Sequence, residues 1–183
     1  TLFRSLKSKI NELSKDKIRF SAYGVNWGLG CNGLHLSDFL CYVLNDTVAG
    51  YNTRNLDQTI LESKRKGYAE FTGNLSGITE KGVNFEISSI KAQNDEILPV
   101  SVTIYSPKLR VFIQEGGETS ITLVIKENGY QIDSKTYPML FQREFSCAFV
   151  ESALFKETIT LPHYQETLQN HLLFPQPLED FYN

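Results

Sequence analysis

The sequence predicts an α+β domain: an antiparallel, β-rich sandwich or partial barrel, with helices mainly N-terminal plus a short C-terminal helix. Three observations lead there. Apolar residues recur at helical spacing before Gly67 and alternate with polar ones after it. Helices gather in the first third and do not alternate with strands, which argues against a doubly wound parallel sheet. Asn128-Gly129, flanked by alternating apolar residues, is the pattern of a two-residue hairpin turn. The 183 residues fit one domain over 1–183. Its parts are a mainly helical 1–66 with one strand, an antiparallel 67–162, and a short helix with an extended tail over 163–183.

Residues 2–16 place Phe3, Leu6, Ile10 and Leu13 on one helical stripe, with Lys and Ser opposite. Ile18, Phe20 and Ala22 alternate as in a half-buried strand. After a glycine-rich stretch, Leu36, Phe39, Leu40, Val43 and Leu44 return to helical spacing, and Asp46 and Gly50 mark the exit. "AGYNTRN" reads as a loop. Asn55 is placed to cap a helix in "LDQTILESKRK", whose Lys and Arg residues would suit its C-terminal end. Strands are then expected at "GYAEFTGN", "KGVNFEISSIKA", "PVSVTIYS", "KLRVFIQ", "TSITLVIK" and "YQIDSKTY". The near-continuous apolar run of "KLRVFIQ" suggests burial on both faces. Glu115-Gly116-Gly117-Glu118 reads as a second turn. Two more strands are expected at "EFSCAFV" and "ALFKETITL", then a helix at "HYQETLQNHLL", and an extended tail at "FPQPLEDFYN" because of its two prolines.

Composition narrows the function. Hydrophobic residues make up 41% and charged residues 21%, enough to bury a core and unlike a disordered chain. The net charge is −3, so the basic footprint of a nucleic-acid binder is missing and no nucleic acid is expected as a partner. Residues 1–19 nevertheless carry six basic against two acidic side chains, a local +4 that leaves −7 for the rest. That head reads as a solvated helix face resting on the body, with an anionic membrane surface or acidic partner as the alternative. Three cysteines form no disulfide framework and mildly favour a reducing, cytoplasmic compartment for a soluble chain. No Cys/His cluster with zinc spacing occurs, so no metal is expected. No signal peptide is visible, although a chain opening at Thr1 is compatible with a removed leader.

The most conspicuous local feature is Gly28-Leu29-Gly30-Cys31-Asn32-Gly33, a G-x-G-x-x-G between a strand and a helix. As a dinucleotide fingerprint it would bring amides and a helix N-terminus to a pyrophosphate. The surrounding parallel unit and its acidic partner residue are missing, so no cofactor is expected. As a reactive site, Cys31 near a helix start would gain thiolate character, with His163 as base and Asn170 to orient it. An early helical cysteine and a late histidine on a sheet resemble papain-like and cell-wall amidase-like hydrolases, in arrangement only. As a corner, the glycines let the chain turn sharply into the helix, with Asn32 as a cap. The corner is the preferred reading.

Other groupings carry less. His35 and Asp38 share a helix face and read as a local hydrogen bond. Lys64-Arg65-Lys66 complements a helix C-terminus. Glu115 and Glu118 read as a solvated turn, and Asn94, Asp95 and Glu96 lack the pattern of a calcium loop. With no convincing catalytic set, the sequence points to a non-catalytic recognition protein with another protein as its partner. Tyr51, Tyr105, Tyr130 and Tyr137 are possible interface anchors. The cysteine-dependent hydrolase of Cys31, His163 and Asn170 stands as the alternative.

Overall fold

The computed structural model describes residues 2–13, 17–63, 65–93, 98–115, 120–138, 146–147, 150–151, 154–155 and 164–183. Eight strands form one sheet: β1 (Arg19–Val25), β2 (Val48–Leu56), β5 (Gly73–Thr79), β6 (Asn84–Ile90), β7 (Leu98–Tyr105), β8 (Leu109–Glu115), β9 (Ser120–Glu127) and β10 (Tyr130–Pro138). β3 (Leu61–Glu62) and β4 (Ala69–Glu70) make a separate two-stranded ribbon. Among the elements whose bounds are described, α1 (Leu2–Asn11), α2 (Leu29–Leu44), α3 (Tyr164–Leu173) and α4 (Pro175–Tyr182) are the helices that accompany them. The expected mixed class and mostly antiparallel pairing are both present.

Among the described residues, the strands do not themselves close a sandwich or partial barrel. The strand order is β10-β9-β8-β7-β1-β6-β5-β2, so the sheet is open, with β10 and β2 at opposite edges. β1 is inserted in the middle, antiparallel to β7 and parallel to β6. After β1 the chain crosses through α2 to the β2 edge, then returns by antiparallel pairing to β5 and β6. The parallel pair follows from that return.

Phe20 of β1, Phe85 of β6, Gly77 of β5 and Tyr51 of β2 lie in one register row on the inner face. The helices lie on this face. Phe39 of α2 meets Phe20 at 6.3 Å between ring centroids, and Phe174, just before α4, meets Tyr51 edge-on at 5.4 Å. α1 buries Leu6 and Ile10 completely and packs on α2. Burial of two such side chains contributes roughly 3–6 kcal/mol. Lys7 of α1 sits over the Tyr42 ring at 4.7 Å. The basic head therefore rests on the body, with Leu6 and Ile10 of its apolar stripe already used.

Several local expectations need correction. "AGYNTRN" is part of edge strand β2, because its backbone pairs with β5. The expected helix over "LDQTILESKRK" is instead the approach to the β3–β4 ribbon. Asp57 N–H donates to Thr72 C=O (2.9 Å), and Thr72 Oγ1 donates to the Asp57 carboxylate (2.7 Å). Those cross-links hold the chain extended. β8 is buried on one face only, since Val111 and Ile113 are buried while Arg110 and Gln114 are exposed. Within the two strands expected at 144–150 and 153–161, the described residues Ser146, Cys147, Val150, Leu154 and Phe155 are helical, as is Glu151 between them. The spacing of Cys147, Val150 and Leu154 fits that helix. Residues 156–161, and Gly116–Glu118 of the expected second turn, lie outside the described residues, as do Asn94, Asp95 and Glu96. The tail is helix α4, because Pro175 and Pro177 fall in its first turn, where a missing N–H breaks no helical bond. The Asn128-Gly129 turn is as expected, with φ of +50° and +86°.

Candidate functional site

The helix that follows β1 begins abruptly. Gly28 adopts φ +79° and ψ +80°, which a side chain would strain, and α2 starts at Leu29. Asn32 is not the cap. Its amide reaches back to the Trp27 carbonyl (2.6 Å), while the Trp27 indole N–H donates to Ser88 C=O (2.8 Å). These bonds pin the corner to β6.

A helix N-terminus favours a negative group. Here that group is the carboxylate of Glu70 on β4, which accepts from the Gly30 N–H at 2.8 Å. A Cβ on Gly28 would stand 3.1 Å from the other Glu70 oxygen. The G-x-G-x-x-G amide that a pyrophosphate would need is thus engaged internally, and the described residues do not fit a dinucleotide at this corner.

Beside the corner lies a groove of about 920 Å³ between the first turns of α2, the β3–β4 ribbon and α4. Its floor is apolar, with Leu34, Ile60, Phe71, Phe174 and Leu178. Cys31 is exposed on its α2 wall. His35 lies one helical turn further along the same face and is also exposed.

A polar node ties α2 to the C-terminal helices. Asn170 of α3, only 4% exposed, accepts from the Tyr51 hydroxyl and donates to Asp38 Oδ1 at 2.7 Å. The other Asp38 oxygen meets His171 Nε2 at 2.9 Å. Asp38 therefore pairs with α3, in place of the expected contact with His35. Burial pushes the Tyr51 phenol well above its ordinary range. Burial likewise pushes the Cys41 thiol up to about 11, opposed by hydrogen bonding to the Val48 backbone and reinforced by Asp38.

The residues proposed from sequence for hydrolysis are placed as follows. Cys31 is in the first turn of α2, Asn170 is in the node with Asp38 and Tyr51, and His163 lies outside the described residues. Glu70 and Tyr51 were not legible from spacing. Their partners are 40 and 119 residues away in the chain. Among the described residues, no group of three or more His, Cys, Asp or Glu side chains is arranged to hold a metal ion, and no helix is long and apolar enough to cross a membrane.

No family model and no curated protein sequence matches the chain. Solved structures do match its fold. A candidate NADPH-dependent oxidoreductase from Desulfitobacterium hafniense superposes with a TM-score of 0.60 at 14% identity, over 93% of this chain and 56% of that one. An oxidoreductase domain protein from Kribbella flavida gives 0.58 at 8% identity, over 94% and 60%. The super-repressor mutant of Gal80p from Saccharomyces cerevisiae gives 0.54 at 10% identity, over 98% and 60%. The chain thus spans less than two thirds of the structures it matches. At these identities the likeness is one of fold. It overturns the expectation of a non-catalytic recognition protein and the cysteine-hydrolase alternative, because nearly the whole chain follows an architecture recurrent in oxidoreductases and dehydrogenases.

Proposed function

We propose that this chain forms the sheet-bearing, substrate-facing part of an NAD(P)-linked oxidoreductase. The observation that carries the reading is coverage: 93% and 94% of the chain follows part of two oxidoreductase structures. The described residues do not fit the dinucleotide, since the amide of Gly30 is taken by Glu70. What they supply is the groove and, on α2, an imidazole. His35 stands one turn beyond Cys31 and is of a type that holds or moves a proton near neutral pH. The Gal80p likeness keeps a protein partner compatible with the fold.

The test is consumption of NADH and NADPH by the protein that carries this chain, with a panel of aldehydes and ketones. Saturable turnover is expected, falling about 100-fold or more in His35→Gln, with unfolding by urea unchanged. Absence of dinucleotide consumption across the panel would remove the reading. Turnover that is indifferent to His35→Gln would remove His35 from it.

A further inference from the structure

Asn-Gly occurs twice in the chain, at Asn32-Gly33 and Asn128-Gly129. The dipeptide is reactive because no glycine Cβ shields the amide nitrogen that faces the asparagine carboxamide. The fold treats the two copies in opposite ways. Asn32 lies in the first turns of α2, where its Nδ2 donates to the Trp27 carbonyl at 2.6 Å. Gly33 is buried beside it, and a Cβ there would stand 2.9 Å from the Phe174 ring. The Gly33 N–H belongs to the helical ladder. Asn128 and Gly129, in contrast, are both exposed at the tip between β9 and β10. The Asn128 N–H donates to the Lys108 carbonyl at 2.8 Å, which anchors that residue's own nitrogen. Among the described residues, no hydrogen bond engages the Asn128 carboxamide or the Gly129 N–H. A Cβ on Gly129 would meet nothing within 4 Å, so the tip has room to turn about the Asn128 Cα–C bond.

We propose that Asn128-Gly129 is a self-modifying site of the folded protein, and that its isoaspartyl product releases strand β10. The Gly129 nitrogen gives its proton to solvent and attacks Asn128 Cγ. The N–Cγ bond forms, the Cγ–Nδ2 bond breaks, and Nδ2 leaves as ammonia. Water then opens the succinimide ring and is the co-reactant that balances the step. Cleavage of the N–Cγ bond gives aspartate. Cleavage between that nitrogen and the backbone carbonyl carbon of residue 128 gives isoaspartate, with the chain routed through Cγ. Aspartate keeps the turn, since Asp-Gly suits the same backbone. Isoaspartate adds a carbon to the main chain of a two-residue tip, and the pairing of Glu127 with Tyr130 that closes the tip no longer fits. Among the described residues β10 pairs with β9 alone, so opening spreads along it from the tip.

The purified protein is aged in mildly alkaline buffer, folded or in urea, then digested with trypsin and mapped by mass spectrometry. Cleavage after Lys126 and Lys135 isolates residues 127–135. Isoaspartate is scored by methyl transfer from S-adenosylmethionine, catalysed by an isoaspartyl carboxyl methyltransferase. In the folded protein Asn128 is expected to convert at least about tenfold faster than Asn32, which must first open locally. In urea the two rates are expected to meet. Asn128→Gly keeps a tip that tolerates positive φ and removes the carboxamide, so methyl acceptance by residues 127–135 is expected to vanish. Aged wild-type protein is expected to exchange the amides of Tyr130–Pro138 faster than fresh protein, and aged Asn128→Gly is not. Equal conversion of Asn32 and Asn128 in the folded protein would overturn the proposal. So would an Asn128 that converts only in urea. Isoaspartate at position 128 with unchanged exchange in β10 would overturn the release of the strand.

Discussion

Gly77 shows how one missing side chain organises its surroundings. It lies between Tyr51 and Phe85 in the inner-face row, and those two rings meet edge-on across it at 5.6 Å. A Cβ at Gly77 would clash with the Phe85 ring and the Gly50 carbonyl. Gly77→Ala is therefore expected to destabilise the fold by about 1–3 kcal/mol, read as a lower urea midpoint at unchanged slope. Cys41 gives a second prediction at this scale. Its thiol is held at about 11 against an ordinary 9.0, first of all by burial, so the folded protein keeps the proton longer than the unfolded chain does. Stability is then full below pH 9 and declines as pH rises towards 11, by roughly 2–3 kcal/mol. Tyr51, raised in the same direction, extends the decline upward. Cys41→Ala should flatten the slope between those two pH values in urea titrations, and an unchanged slope would show that Cys41 is not its source. None of this was visible in the sequence. Gly77 falls between two expected strands there, and Cys41 is only one of three cysteines.

Among the elements, α1 and α2 were the most legible, because their apolar periodicity is long. Their docking makes a direct prediction. Leu6→Ala leaves a hole between α1 and α2 and is expected to destabilise by about 2–5 kcal/mol in chemical denaturation. A loss below about 1 kcal/mol would mean that the helix is loosely held. The misread elements share a cause. β2, the β3–β4 ribbon and the helical residues between 146 and 155 are short or edge segments, where local propensity is weak and a partner decides. The ribbon is the clearest case. "LDQTILESK" has a fair helical pattern, yet the bonds between Asp57 and Thr72 draw it into an extended path. That path brings Glu70 to the N-terminus of α2. Glu70→Gln is expected to weaken the corner by about 0.5–1.5 kcal/mol, seen as faster hydrogen exchange at Gly30 and its neighbours. Unaltered exchange there would show that the carboxylate bond contributes little.

At the scale of the whole molecule, the sheet is graded from centre to edge. β1 is paired on both sides, by β7 and β6, and places Phe20 and Ala22 in the core. Among the described residues, β10 pairs with β9 alone and is mostly exposed. Amides of β1 should thus exchange slowest and those of β10 among the fastest, as read by hydrogen–deuterium exchange. The reverse order would contradict the strand order itself. The same arrangement explains why the glycine-rich motif misleads. Strand, glycines and helix are all present in the right sequence. The parallel neighbour of β1 is β6, reached by antiparallel returns from the far edge. No second strand of a dinucleotide unit lies beside it.

By itself, the sequence determined the α+β class, the strands β7 to β10 within a mostly antiparallel β part, the two N-terminal helices and the tight Asn128-Gly129 turn. These are set by periodicity and backbone chemistry within a few residues, so they can be read locally. Only the tertiary structure decided that the sheet stays open, that β1 lies at its centre, that Glu70 fills the end of α2 and that Asn170 binds Asp38 and Tyr51. Each of those joins residues tens of positions apart. Which donor meets which acceptor at such separations is settled by packing of the whole chain, and no local pattern encodes it.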